Sequence, residues 1–285
     1  MTNAALARPP RAPQPAKQPP RDFLAEVTNR GSGLPSRVIL HGVEGVGKTS
    51  WASQAPFVIF GQSLGETGLE TLIDSGQVTA TPHFPQWESW DEVLASVNQL
   101  IDQEHAYRTF AVDTLNGVER LCHEHVCRRD FNGDWTDRGF MGYMRGYEVA
   151  LSEWRLFLAL LDRLRSEKKM AVVCLVHTKI SRFSNPEGAD FDRFAADLHH
   201  KTWAVTHRWA DMVLFATFFV DTVKDGQKHK GVGGQERILY TEHTAAYDAK
   251  NRHGLTESIA FGPDTAGAWA NFAAALKDAK SGAVA

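Results

Sequence analysis

Long apolar runs are missing from this chain of 285 residues, so no segment of it reads as a membrane-spanning helix. Its amino terminus also lacks the apolar core of a secretory leader, and the expectation is a cytoplasmic protein with no membrane partner. Cysteine is scarce. Three residues, an odd number, argue against a disulfide framework. A strong charge of either sign is absent too: 31 Lys and Arg against 34 Asp and Glu leave a net charge of -3, so any nucleic-acid surface has to be a local stripe. No internal repeat is visible, which speaks against a solenoid.

What is present is the composition of an ordinary globular chain, long enough to bury a sizeable core. Residues 1–22 are rich in Pro with interspersed Arg and Lys and read as a disordered basic tail; a single domain is expected over 23–280, and 281–285 as a flexible end. Apolar strands are expected at 36–41, 57–60, 109–113 and 171–176, with helices at 91–104 and 147–165 where apolar residues recur every three or four positions. Continuous apolar strands alternating with helices predict an α/β fold, a mostly parallel sheet with helices on both faces. Strands at 211–220, 237–242 and 245–249, separated by turns at 224–226 and 231–234, predict an antiparallel extension, and a helix at 266–279 closes the chain.

The most specific signal is Gly42-Val43-Glu44-Gly45-Val46-Gly47-Lys48-Thr49, a complete G-x-x-x-x-G-K-[ST] loop between an apolar strand and a helix that begins near Ser50. Glycines let backbone N–H groups converge on phosphates, and the helix N-terminus adds its positive end. Lys48 is then placed for the β- and γ-phosphates and Thr49 for Mg²⁺, so the expected ligand is a Mg²⁺–nucleoside triphosphate pair. Asp113 ends an apolar strand and fits the carboxylate that organises the metal. Hydrolysis further needs a group that orients water, and Glu66, shortly after the second strand, stands close to where several P-loop ATPases carry a catalytic glutamate.

The order of phosphate loop, second strand followed by Glu66-Thr67-Gly68-Leu69, Asp113, and a strand ending Val176-His177-Thr178 resembles RecA-like P-loop ATPases. It is most similar to the compact phage-encoded group that includes single-strand annealing and recombination ATPases, over roughly residues 36–260. One departure is Gly61-Gln62-Ser63-Leu64-Gly65-Glu66, where such proteins often carry Asp-Thr-Glu at the strand end; Glu70 is therefore the alternative to Glu66.

The resemblance implies a RecA-like core that hydrolyses ATP when bound to single-stranded DNA and promotes annealing or strand exchange in a host bacterial cytoplasm. It implies that His177 senses the γ-phosphate and begins a DNA-contacting loop; the alternative is a histidine that satisfies a backbone group. A single-stranded-DNA-binding protein as partner comes from the resemblance alone. So does a homo-oligomer with nucleotide between subunits, in which Lys250 and Arg252, after a late strand, are similar in position to cations that reach the neighbour's γ-phosphate.

The segment 180–201 mixes cations with aromatics, and Arg182, Phe183, Phe191, Arg193 and Lys201 are candidates for holding phosphates and stacking unpaired bases; a plain surface loop is the alternative. A second segment, Arg128 to Arg145, offers Trp135, Phe140, Met141 and Tyr143 either to a strand or to the core. Cys122, His123, His125 and Cys127 are zinc-type ligands, yet on a helix they point to different faces, which favours a partly buried helix over a metal site. A helicase- or packaging-type motor, a small-molecule kinase and a nucleotide-gated scaffold are the rival uses of the same loop.

Overall fold

A computed structural model describes residues 22–225, 228–262 and 264–282; the expected tail thus lies outside the described residues except for Asp22. Residues 22–33, the described part of a first unit that ends at Gly33, include a turn at 23–26 in which the Asp22 carboxylate accepts the N–H groups of Leu24 and Ala25. The second unit begins at Leu34.

That unit runs β1 (Arg37–Gly42), α1 (Lys48–Ser53), β2 (Val58–Gln62), α2 (Gly68–Asp74), α3 (Trp90–Asp102), β3 (Thr109–Asp113), α4 (Leu115–Phe131), α5 (Arg145–Glu167), β4 (Ala171–Phe183), β5 (Phe191–Ala196), α6 (His200–Trp209), β6 (Met212–Asp225), β7 (Lys228–Tyr240), β8 (Lys250–Asn251), β9 (Ser258–Gly262) and α7 (Ala268–Gly282). The main sheet has the order β2-β3-β4-β1-β6-β7-β9, with β5 paired to β4 and β8 to β6. Pairs β2–β3, β3–β4, β4–β1 and β1–β6 are parallel, whereas β6–β7, β7–β9, β4–β5 and β6–β8 are antiparallel. The fold is α/β with a mostly parallel central sheet and an antiparallel carboxyl-terminal extension.

Successive strand residues point to opposite faces, and each face has its own core. Ile39, Phe110, Val172, Cys174 and Val213 meet α3, α4, α5 and α6 on one side; Val38, Leu40, Val173, Leu175 and Leu214 meet α1, α2 and α7 on the other. Both faces of the parallel strands are buried, which is why these strands read as unbroken apolar runs. Helix α3 starts where Ser89 accepts the Glu92 N–H, and α5 is tied to α6 by the buried Trp154 indole donating to Thr206 at 2.7 Å. At the amino-terminal edge of the sheet, Arg37 grips both carboxylate oxygens of Asp211 and fixes β1 against β6. Among the described residues no helix is long and apolar enough to cross a membrane.

Three expectations need correction. The segment 180–201 is no irregular loop: β4 continues to Phe183 and folds back as β5, with Phe183 opposite Phe191 and Thr178 opposite Ala196, and α6 begins at His200. Gly231–Gly234 is no turn, because cross-strand pairing with β6 holds it inside β7, which ends at Tyr240 rather than Glu242. Residues 245–249 are not a strand; the late strands are β8 and β9.

Gly61 of β2 faces Trp87, and a Cβ at that position would stand 2.1 Å from the indole ring. Trp87 is itself buried, and its backbone is pinned by its own N–H donating to the Gln62 carbonyl and its carbonyl accepting the Leu64 N–H, so it has little room to retreat. Gly61→Ala is expected to destabilise the fold by about 1–3 kcal/mol through overpacking, read as a lower urea midpoint at unchanged slope. A wild-type midpoint would show that Trp87 yields.

Candidate functional site

The phosphate loop leaves the carboxyl end of β1 between β4 and β6. Gly45 and Gly47 adopt φ of +71° and +97°, and a Cβ on Gly42 would stand 2.4 Å from the Ala216 carbonyl oxygen, so the loop needs glycine at these points. Val46 anchors it in the core, Val43 N–H donates to Ala216, and Glu44 is exposed. Lys48, only 8% exposed, folds back so that its ammonium donates to the carbonyls of Gly42 at 2.8 Å and Val43 at 3.2 Å. Burial lowers its pKa, while Asp113, Glu44 and Glu66 work in the other direction.

The carboxyl ends of β2 and β3 and the middle of β4 supply the other groups. Asp113, last in β3, is buried and accepts the Thr49 hydroxyl at 2.7 Å. Burial pushes its carboxyl up to about 6, against the Thr49 hydrogen bond and with the help of nearby Glu66. Glu66 sits on the loop after β2, its carbonyl held by the side-chain amides of Gln62 and Gln86. Its Oε1 accepts from the Thr114 hydroxyl at 2.9 Å and from His177 Nε2 at 3.4 Å. The His177 contact is the largest of the causes that hold the Glu66 carboxyl below the usual carboxylate range, and Glu66 in turn raises the His177 pKa. Glu70, the alternative, stands apart on α2 and faces His83.

Lys48, Thr49, Glu66, Asp113, Thr114 and His177 line one cleft of about 500 Å³, together with Gly45, Ser50, Arg237, Asp264 and Thr265. The donor set suits a hard divalent cation: the Thr49 hydroxyl and Asp113 carboxylate converge as oxygen ligands beside a glycine-framed anion site. Residues the sequence did not point to complete the arrangement. Thr114 orients Glu66, and Asn116 on α4 accepts the His177 N–H at 2.9 Å while donating to the Asp197 carbonyl. Asn116 thereby fastens the strand after His177 to the strand returning from the hairpin. His41, buried in β1 between Trp203 and Phe215, donates from Nε2 to the Asp248 carbonyl at 2.7 Å and accepts the Thr178 hydroxyl at 3.1 Å; burial lowers its pKa to about 4, which keeps it neutral.

The hairpin candidates divide. Arg182 is 72% exposed and reaches Asp190, and Phe183 is partly exposed. Phe191 is half-buried and supports Phe183, with ring centroids 5.2 Å apart. Arg193 is 15% exposed, lies over the Phe183 ring and faces Asp248, so its charge is engaged within the chain. Lys201 pairs with Glu148. Lys250 is remote from the phosphate loop: β8 pairs with the first residues of β6, at the opposite edge of the parallel strands, and its ammonium donates to the carbonyls of His207 and Arg208 at the end of α6. Arg252 beside it is exposed. In the second aromatic segment Phe140 is core and Tyr143 is 97% exposed. Cys122 and Cys127 face the core and His125 faces Asp91; among the described residues no group of three or more His, Cys, Asp or Glu is placed to hold a metal ion.

A family model described as an AAA domain matches residues 34–253, most of the chain, and the chain belongs to that family. Its domain is of the nucleotide-binding P-loop ATPase type. No curated protein matches the sequence.

The Glu66–His177 pair has a readable signature in stability. A histidine whose folded pKa is raised contributes stability fully present below its unfolded value near 6.5 and lost as pH climbs through the folded value. Compared with His177→Gln, the wild type is expected to lose unfolding free energy over the pH range starting just above 6.5. Parallel stability curves for the two proteins would dissolve the pair.

Proposed function

We propose that this AAA-domain protein is a Mg-ATP hydrolase whose nucleotide state controls its hold on single-stranded DNA, in recombination by annealing or strand exchange. The observation that carries the reading is the continuity of β4. His177, in contact with Glu66 at the cleft, lies six residues from Phe183 on one uninterrupted strand, and that strand projects with β5 as an antiparallel hairpin.

Each cleft residue has a chemical role in this reading. The loop N–H groups and Lys48 bind the phosphates, with the Lys48 ammonium exchanging its carbonyl partners for phosphate oxygens. Thr49 and Asp113 would hold the magnesium, which supplies positive charge to neutralise the phosphates. Glu66, kept ionised by His177 and Thr114, accepts a hydrogen bond from the attacking water and orients it. His177 donates toward the same region, and any shift of Glu66 on nucleotide binding is felt at His177 and at the Asn116 clamp that closes the hairpin base.

On the hairpin, exposed Arg182 offers a phosphate contact and Phe183 an aromatic face, with Ile180 exposed nearby. Arg193 and Phe191 support Phe183 from within the chain. The family resemblance adds a phage recombination setting, a single-stranded-DNA-binding protein as partner, and assembly of copies with nucleotide between them. In such an assembly Arg252 is the exposed cation of its pair, Lys250 being engaged with α6.

ATP hydrolysis followed with and without a single-stranded oligonucleotide tests the reading: the rate is expected to rise with the polymer. Arg182→Ala should weaken DNA binding and lower the salt-dependence slope by roughly 0.7, the value of one single-strand phosphate contact. Phe183→Ala should weaken binding by about 1–3 kcal/mol while keeping the slope. A rate indifferent to the polymer, with an unchanged slope in Arg182→Ala, would refute DNA coupling.

A further inference from the structure

The phosphate cleft opens into a second compartment of about 270 Å³ that includes Ser53, Gln54, Val78, Thr79 and Ala266. Ser50, Gln77, Asp264 and Thr265 line both spaces and so mark their junction. The polarity of a bound nucleotide follows from chemistry already placed. Glu66, Asp113 and His177 stand at the end where phosphate is attacked and are absent from the second compartment. Ser50 follows Thr49, one step along α1 from the metal-side hydroxyl, and Ser53 and Gln54 lie about one helical turn further. A triphosphate with its γ end at Glu66 therefore puts its sugar at the junction and its base beyond it.

The loop that forms one wall is fixed to the phosphate loop. Thr265 holds a left-handed φ of +64°, uncommon for a β-branched residue, and its methyl would stand 2.3 Å from a Cβ at Gly47. Its carbonyl accepts from the Gln54 amide at 2.8 Å, and the same amide donates to Ser50 at 3.0 Å. Asp264 turns the chain by accepting the Ala266 N–H at 2.9 Å and remains exposed at the junction. An ionised carboxylate only accepts hydrogen bonds, and the sugar hydroxyls are donors.

We propose that Asp264 reads the ribose of the bound nucleotide, selecting ribonucleoside over 2′-deoxyribonucleoside triphosphates, and that the compartment between Val78–Thr79 and Ala266 houses the base. This rests on the phosphate-loop reading of the cleft and adds to it the class of nucleoside that is taken. Gln77, across the junction, is a second polar group within the same space.

Calorimetric binding of ATP, 2′-deoxy-ATP and inorganic tripolyphosphate, each with Mg²⁺, separates the two levels. The wild type is expected to bind ATP roughly tenfold or more tightly than the deoxy form, the size of one hydrogen bond to a charged group. Asp264→Ala should bring that ratio close to one. Ala266→Phe, which fills the base compartment from an exposed position, should weaken both nucleotides and spare tripolyphosphate. Tripolyphosphate binding with equal wild-type affinity for ATP and 2′-deoxy-ATP would overturn the ribose assignment and leave the phosphate site standing. An unchanged ratio in Asp264→Ala would overturn it too. Failure of all three ligands to bind the wild type would remove the phosphate-site reading and this proposal together.

Discussion

A lysine ammonium taken almost wholly out of water stays charged only where the backbone and nearby carboxylates replace its hydration. At Lys48 that replacement comes from two loop carbonyls, with Asp113, Glu44 and Glu66 opposing in part the lowering of its pKa by burial. Much of the surrounding architecture serves this one requirement. The parallel register of β1 with β4 and β6 sets the loop, and β2 and β3 deliver Glu66 and Asp113 to the same edge. Burial, and after it the nearby Glu66 carboxylate, raises the pKa of Asp113, and a cationic ligand beside the two carboxylates would relieve that cost.

The same edge is where the sheet changes character. β4 and β6, on either side of β1, both run past the phosphate loop and turn into antiparallel ribbons, so groups that touch the cleft are covalently continuous with groups that project from it. His177 belongs to both worlds: its side chain meets Glu66 and its backbone is clamped by Asn116. Thr178, the next residue, meets His41 of β1. A displacement at the cleft thus has polar, directional contacts through which to reach the hairpin, as the proposed coupling of nucleotide to a polymer requires.

The parallel core and the phosphate loop were legible because their signals are local: apolar runs over 38–40 and 171–176, and a motif whose spacing is set by eight consecutive residues. Asp113 was legible as the polar end of such a run. Asn116, Asp264 and Thr265 were not, because tertiary folding brings Asn116 to His177 and Thr265 to Gln54 from distant sequence and places Asp264 at the cleft. The hairpin was hidden by composition. Phe191-Asp192-Arg193-Phe194 follows a Pro- and Gly-containing stretch and carries charge, so cross-strand pairing with β4, rather than local preference, makes it a strand. In β7, Gly231 and Gly233 look like turn residues until their pairing with Thr222 and Val220 is known. β9 did carry a signal, since Ile259 and Phe261 are buried and alternate with exposed Ser258 and Ala260.

The central claim is that the cluster built around Lys48, Thr49, Asp113, Glu66 and His177 is a centre for nucleotide hydrolysis in which Glu66 manages the water. Glu66→Gln preserves shape and the Thr114 contact while removing the carboxylate charge, so Mg-ATP affinity and turnover measured side by side test it most directly. The account predicts affinity within a few-fold of wild type and turnover lower by about 10²–10⁴-fold, the usual scale of a lost catalytic base. Turnover close to wild type in a variant that still binds Mg-ATP would contradict it.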